Sequence, residues 1–430
     1  MLQPWFADAK LGIFLHWGIY SLGRAGESWP FFNGEVSYED YMAQAEQFTA
    51  DNYDPRAWAR LFRQVGAKYA VLTTKHHDGF ALWPTKVSSL NAVESAPAGR
   101  DLIGPYCDAL REEGLKVGLY FSHLDWSHPD YPSVLPSRLQ GGVELTGMHA
   151  NPRAYPQGEE DPQAWQRFIE FHRAQLKELC EWYRPDLLWF DGDWERDPDQ
   201  WNFAQLKDQL QAWAPGVIVN SRMGSYGDYE TPEQAIPIQP PQGTWEFCVT
   251  VNDHWGYVEG DENHKSPRQC VRMLVECAGM GGNLLLDIGP KNDGSLQSEQ
   301  VKVLERIGAW TNKHAQALYG TKRGLPHGHF YGASTLSQDE TTLYLFLFDI
   351  PRDEIAVKGL RNAVKRASVL GNDFELSHRV VGGAPWMDLP GITWIDMTGA
   401  PLDDCATVVK LELDGPMKLY SGAGHAITAN

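Results

Sequence analysis

The chain has 430 residues, 43% hydrophobic and 22% charged, with a net charge of −19 from 37 basic and 56 acidic side chains. That length suits a barrel-sized domain followed by a smaller module. So acidic a field repels phosphate backbones, which excludes nucleic acid as an expected partner. No apolar stretch reaches membrane-span length, and Met1–Trp5 lacks the basic and apolar regions of a secretory leader. The six cysteines are scattered, with no CxxC pair. They are expected to be reduced, in a cytoplasmic protein or, if the N-terminus has been processed, a secreted one. Oligomeric state is not legible from one chain.

Strand-like apolar runs alternate with amphipathic helices up to about residue 320. The runs are Gly12–His16, Tyr69–Thr74, Lys116–Ser122, Leu187–Asp191, Gly216–Asn220 and Asn283–Ile288. Start signals mark the helices between them: Asp54-Pro55, Asp161-Pro162, Ser266-Pro267 and Ser298. This alternation predicts an α/β fold with a parallel sheet, read as a (β/α) barrel of TIM type with room for irregularity. An open dinucleotide fold would carry a glycine-rich turn after an early strand, whereas Gly281-Gly282 precedes one. Past about Gly324 short β-rich runs dominate: Thr342–Phe348, Glu354–Val357, Arg366–Leu370, Ile392–Met397, Ala406–Leu413 and Met417–Tyr420. They predict a C-terminal antiparallel β-sandwich, so the expected division is a barrel over 1–323 and a sandwich over 324–430. Ser127–Glu160, rich in Pro, Gly and Tyr, is expected to be a loop shaping the barrel mouth.

In a barrel the residues at the C-terminal ends of the strands converge on one mouth. Asp191 ends the run Leu187-Leu188-Trp189-Phe190, so its carboxylate is a candidate catalytic group. His16-Trp17, His76-His77, Tyr120, His123, Asp125 and Arg222 lie at or just past other strand ends. Donors, acceptors and aromatic faces together suit a polyhydroxylated ligand. The 17 tryptophans lean the same way. Glycoside hydrolysis needs a second carboxylate. Glu246 follows Trp245, and a carboxyl beside a large apolar ring has a raised pKa, as a general acid requires. Glu230 and Glu233 flank Pro232 and are expected on a loop surface. Adjacent His76 and His77 point to opposite sides if both lie on a strand, which disfavours joint metal ligation. No metal or cofactor is expected. Asp193, Asp287 and Asp293 are expected in caps and turns. Trp194 and Trp255 read equally as ligand platforms or core, and His327-Gly328-His329 reads as plain linker.

Ordered motifs then carry a resemblance. Trp5–Gly18, Lys75-His76-His77-Asp78-Gly79-Phe80, Gly118–Ser122, Leu188–Gly192, Asn220-Ser221-Arg222, Glu230–Glu233, Trp245–Thr250, Trp255-Gly256-Tyr257 and Gly281–Pro290 are similar to those of the glycoside hydrolase family twenty-nine alpha-L-fucosidases, from Trp5 to about Lys322. The resemblance implies a retaining exo-glycosidase acting by double displacement on terminal alpha-L-fucosyl units of oligosaccharides or glycoconjugates. It matches Asp191 to the nucleophile and Glu246 to the acid/base. It matches His16, His76, His77 and Arg222 to sugar-holding residues, with Tyr120, Trp17, Trp29 and Trp189 close by. Relatives often carry adjacent Glu-Trp after the first strand; here Ser28 precedes Trp29, so Glu27 is left without a role. The alternatives are a retaining glycosidase for another sugar, a non-catalytic carbohydrate-binding relative and a metal-dependent hydrolase.

Overall fold

The computed structural model describes residues 3–24, 26–131 and 161–422. Most of the loop expected over Ser127–Glu160 lies outside the described residues. Seven parallel strands form one curled sheet: β1 (Leu11–Leu15), β2 (Tyr69–Lys75), β3 (Lys116–Ser122), β4 (Leu187–Asp191), β5 (Ile218–Val219), β6 (Glu246–Thr250) and β7 (Asn283–Ile288). Their order is β5-β4-β3-β2-β1-β7-β6. The β5 and β6 edges face a shared gap. Residues 229–233 fill it, with single bridges from Tyr229 to Asn220 on one side and from Glu230 and Glu233 to Trp245 and Cys248 on the other. This is the irregularity that a barrel reading allows, and it brings Glu233 into the wall. The strand β6 was not evident from sequence, because it opens on a carboxylate after a Pro-rich stretch. Only Ile218 and Val219 of the run Gly216–Asn220 join the ladder.

The helices start where their caps place them. Asp54 accepts from the Ala57 N–H ahead of Pro55–Val65, and Gly66 closes that helix at φ 96°. Asp161 caps Pro162–Glu178, and Ser266 caps Pro267–Gly279 in a reciprocal box with Gln269. Ser298–Lys313 packs against the helices Pro55–Val65 and Pro267–Gly279. Apolar side chains from these helices and the outer faces of the strands form one large core. A separate cluster fills the inside of the barrel, including Phe14, Tyr69, Val71, Tyr120, Trp189 and Leu285. The two clusters follow from strand alternation: inward and outward residues are i and i+1.

Beyond the barrel lie a six-stranded antiparallel sheet and a three-stranded one. The first comprises β8 (Thr321–Arg323), β9 (Ala333–Ser337), β10 (Thr342–Leu347), β12 (Val364–Val369), β13 (Phe374–Glu375) and β16 (Thr407–Leu413). The second comprises β11 (Glu354–Val357), β14 (His378–Val381) and β15 (Ile392–Asp396). Met417–Tyr420, expected as a strand, contributes only a bridge from Leu419 to Leu360. Alternation along β10 sorts its two faces. Leu343, Leu345 and Leu347 enter the sandwich core with Val409, Leu411 and Ile395. Tyr344 and Phe346 turn to the barrel helices. There the Trp310 ring lies 6.2 Å from that of Phe346, and its indole N–H donates to the Ala406 carbonyl at 2.8 Å. Trp310→Ala is therefore expected to lower stability by about 3–5 kcal/mol, read as a lower urea midpoint at unchanged slope.

Candidate active site

Asp191 ends β4, and its side chain is 18% exposed. Gly192 follows at φ 80°, where an added Cβ would lie 2.4 Å from the Leu124 side chain, so the turn that frees the carboxylate requires glycine. Tyr120, on β3, donates to Asp191 Oδ2 at 3.0 Å. His77 Nε2 lies 3.6 Å from the same oxygen, and Arg222 Nε lies 4.0 Å from Oδ1. Burial pushes the Asp191 carboxyl up; the Arg222 charge, the Tyr120 hydroxyl and the Gly192 N–H oppose it.

The histidines form the opposite wall. The β2 ladder ends at Lys75, so strand alternation no longer separates His76 from His77. Their rings lie 4.2 Å apart, with His77 against Asp191 and His76 stacked parallel to Tyr120 at 5.6 Å. The expectation of opposite faces was wrong for that reason. The Ser122 hydroxyl donates to the Leu124 carbonyl and so accepts from His77 Nδ1 at 2.6 Å. That leaves the His77 Nε2 lone pair toward the mouth. His76 Nδ1 pairs with Ser28 Oγ at 2.7 Å, and the Asp78 N–H also donates to that oxygen. Ser28 is held at φ 38°; its own N–H donates to the Tyr41 hydroxyl, which in turn donates to Asp78. His16 Nδ1 pairs with Asp287 Oδ1 at 2.7 Å. Burial pushes the Asp287 carboxyl well up and the His16 ring well down. Asp287, expected in a cap or turn, instead orients His16 from the end of β7.

Two of the expected site residues sit elsewhere. Trp17 lies two residues past the end of β1 and points outward. It is buried among Phe48, Tyr53 and Trp58, with its indole N–H on the Lys291 carbonyl. Glu246 is the first residue of β6, four positions before that strand's C-terminal end. It is 0% exposed, and both its carboxyl oxygens are engaged, one by the Tyr69 hydroxyl and one by the Trp189 indole N–H at 2.8 Å. Burial, rather than the adjacent Trp245 ring, pushes its pKa up to about 7. Adjacency to that ring gave no indication of which end of a strand the carboxyl occupies. Trp189 is two residues before Asp191 on the same face and stacks on Tyr120 at 5.7 Å, so Glu246 lies a layer beneath the mouth.

The carboxylate at the mouth is Glu233, which sequence reasoning assigned to a loop surface. Its side chain is 38% exposed, and Arg222 Nη2 donates to it at 2.9 Å. Burial and the Asp191 charge both push its pKa up, against the pull of Arg222. Trp29 lies edge-on to His77 at 5.7 Å and nearly parallel to Trp194 at 6.4 Å. Trp255 tilts over His16 at 5.1 Å. Glu27 is buried and accepts from the Gly256 N–H, tying the first loop to the Trp255 segment. Lys75 pairs with Asp125 at 3.2 Å, both buried. Among the described residues no group of three or more His, Cys, Asp or Glu side chains could hold a metal ion, and no helix is long and apolar enough to cross a membrane.

A parallel barrel whose mouth combines two carboxylates, one bridging guanidinium, three histidines and tryptophan faces has the equipment of a glycoside hydrolase. The alpha-L-fucosidase family model matches residues 1–316. The human tissue alpha-L-fucosidase is 32% identical over 351 residues, covering 75% of this chain and 70% of that protein. The structure of alpha-L-fucosidase isoenzyme 1 from Paenibacillus thiaminolyticus superimposes with a TM-score of 0.83 at 34% identity, covering 95% of this chain and 98% of that one. A Bacteroides thetaiotaomicron alpha-L-fucosidase, trapped as a covalent intermediate with 2-fluoro-fucosyl fluoride, superimposes with a TM-score of 0.81 at 26% identity, each chain covered to 95%. The chain belongs to the alpha-L-fucosidase family, glycoside hydrolase family twenty-nine, and is an enzyme of that class.

The buried carboxyl of Glu246 yields a stability test. Its folded pKa is raised from 4.5 to about 7, so between those values the native state retains a proton that the unfolded chain has released. Its contribution to stability therefore falls as pH rises from about 4.5 to about 7. Glu246→Gln cannot titrate. Urea unfolding at pH 5 and pH 7.5 is expected to show the variant gaining on wild type by about 2 kcal/mol across that window.

Proposed function

We propose that the protein releases terminal alpha-L-fucosyl units from glycans by retaining double displacement, with Asp191 as nucleophile and Glu233 as general acid/base. The observation that carries this is the Arg222 guanidinium set between the two mouth carboxylates, 4.0 Å from one and 2.9 Å from the other. Asp191 keeps donors and a cation around it, which favours the ionised form that attacks the anomeric carbon. Glu233 has its pKa raised by burial and by the Asp191 charge, which favours the protonated form that gives its proton to the departing oxygen. Once the aglycone leaves, Glu233 takes a proton from the incoming water, and the fucosyl–Asp191 ester is cleaved with net retention. The covalent intermediate of the Bacteroides relative supports the ester step. Glu246, enclosed beneath Trp189, does not reach a glycosidic oxygen.

His16, His76, His77 and Arg222 would hold the sugar hydroxyls. The His77 lone pair accepts, and the guanidinium donates. Phe14 and Trp255, packed against His16 and against each other, offer an apolar wall suited to the fucose methyl group. Burial keeps His16, His76 and His77 neutral, so they act as hydrogen-bonding groups rather than cations.

Azide separates the carboxylates. Asp191→Gly is expected to lose hydrolysis of aryl alpha-L-fucosides by about 10³-fold or more and to yield beta-fucosyl azide, since azide then attacks the face the carboxylate vacated. Glu233→Ala is expected to spare substrates with good leaving groups and to yield alpha-fucosyl azide by opening the ester. Glu246→Gln is expected to yield neither azide product. Alpha-fucosyl azide from Glu246→Gln, with none from Glu233→Ala, would return the acid/base role to Glu246.

A further inference from the structure

Behind the mouth, three buried basic side chains form a line that the proposed chemistry does not use. Arg173 and His172 lie on the helix Pro162–Glu178, and His123 follows β3. Arg173 Nη1 lies 2.8 Å from His172 Nδ1, His172 Nε2 lies 3.1 Å from His123 Nδ1, and His123 Nε2 lies 3.1 Å from the carbonyl oxygen of Arg222. Both histidines are fully buried.

The direction of every bond in this line is determined by its two ends. A guanidinium only donates, so His172 Nδ1 must accept. His172 therefore carries its proton on Nε2 and donates it to His123 Nδ1. His123 then carries its proton on Nε2, which is what the Arg222 carbonyl, an acceptor only, requires. A proton added to either ring would set donor against donor. Burial and the neighbouring charges of Arg173 and Lys75 push both pKa values well below the usual histidine range, consistent with two neutral rings. The rings have little freedom to leave. His123 stacks on Phe190 at 4.5 Å and 11° and packs against Trp201 and Phe203, while His172 meets Phe121 edge-on. Arg173 is fixed at its far side by the Trp201 carbonyl.

The line ends where the two halves of the site meet. The His123 backbone N–H donates to the Asp191 carbonyl at 2.8 Å, while its side chain donates to the Arg222 carbonyl. One residue thus grips the main chain on both sides of the gap between the proposed nucleophile and the guanidinium that serves it.

We infer that Arg173, His172 and His123 form a one-directional hydrogen-bond relay that positions Arg222 relative to Asp191 and Glu233. These are positioning residues, and the inference rests on the role given to Arg222 in the proposed function. An isosteric aromatic at 172 keeps the volume and breaks the relay. Glutamine can rebuild it, since its amide oxygen accepts and its nitrogen donates.

The test uses the full chain and a dinitrophenyl alpha-L-fucoside. His172→Phe is expected to lower kcat/KM about 10- to 100-fold, His172→Gln to recover to within about threefold of wild type, and His172→Phe placed on Arg222→Ala to cost less than about threefold further. Should His172→Phe fail to fold, the same cycle is run with His172→Leu, which also removes both ring nitrogens. Equal fold losses from the 172 change with and without Arg222 would overturn the inference, because the relay would then not act through that guanidinium. Nitrogen-15 spectra of histidine-labelled wild type at pH 7 provide the readout independent of activity. Both rings are expected as neutral Nε2–H tautomers. A protonated ring or an Nδ1–H tautomer at either position would refute the relay even if every activity assignment stood.

Discussion

The proposed chemistry depends on one electrostatic constraint: two carboxylates must share a partly desolvated mouth while holding different charges. Left alone, a second carboxylate near the first is pushed strongly toward its protonated form, and burial pushes both the same way. Arg222 pulls both carboxyls back toward ionisation. It donates directly to Glu233 and faces Asp191 at longer range, while Asp191 alone also has the Tyr120 hydroxyl and the Gly192 N–H. In the proposed roles, this difference in partners, rather than in residue type, separates the nucleophile from the acid. That separation survives only if the guanidinium stays in place, and much of the surrounding architecture serves this.

The support is layered. Beneath Asp191, Trp189 stacks on Tyr120, and its indole is pinned from below by Glu246. To one side His77 is fixed by Ser122, and His16 by Asp287. Behind, the His123 backbone and ring secure the chain on both sides of the charge pair. Buried polar groups are costly unless satisfied, and here almost every ring in the mouth has its second nitrogen committed to a neighbour. Such a wall can present defined donors and acceptors to a sugar without reorganising first. The strand gap closed by residues 229–233 matters for the same reason. A regular strand there would leave no segment to carry Glu233 into the mouth.

Much of this was legible in the chain. Apolar runs ending in polar residues located β1–β4 and β7, and Asp-Pro and Ser-Pro pairs located the helix starts, because both signals are local. The change to short β runs past Gly324 announced the sandwich, although β8, β9, β13 and β14 carry too little apolar alternation to stand out. The failures are instructive. Glu246 was chosen because Trp245 adjoins it, but adjacency reports polarity, whereas height along a strand decides whether a carboxyl faces substrate or core. Trp17 adjoins His16 in sequence, but its ring turns away from the mouth to Phe48, Tyr53 and Trp58. Glu233 was discounted for its proline neighbour, and Asp287 for its turn-like surroundings. The usable signal for Glu233 was its distance past Arg222, too short for another helix, in a segment that had to return to the sheet.

Double displacement at this site requires that the fucosyl group be carried on Asp191. The most direct measurement is to label the protein with 2-fluoro-fucosyl fluoride, whose fluorine slows release of the ester, then digest it and locate the added mass. The account predicts one fluorofucosyl unit on the peptide containing Asp191, and none on those containing Glu233 or Glu246. Label on either glutamate, or inactivation with no adduct at Asp191, would contradict it.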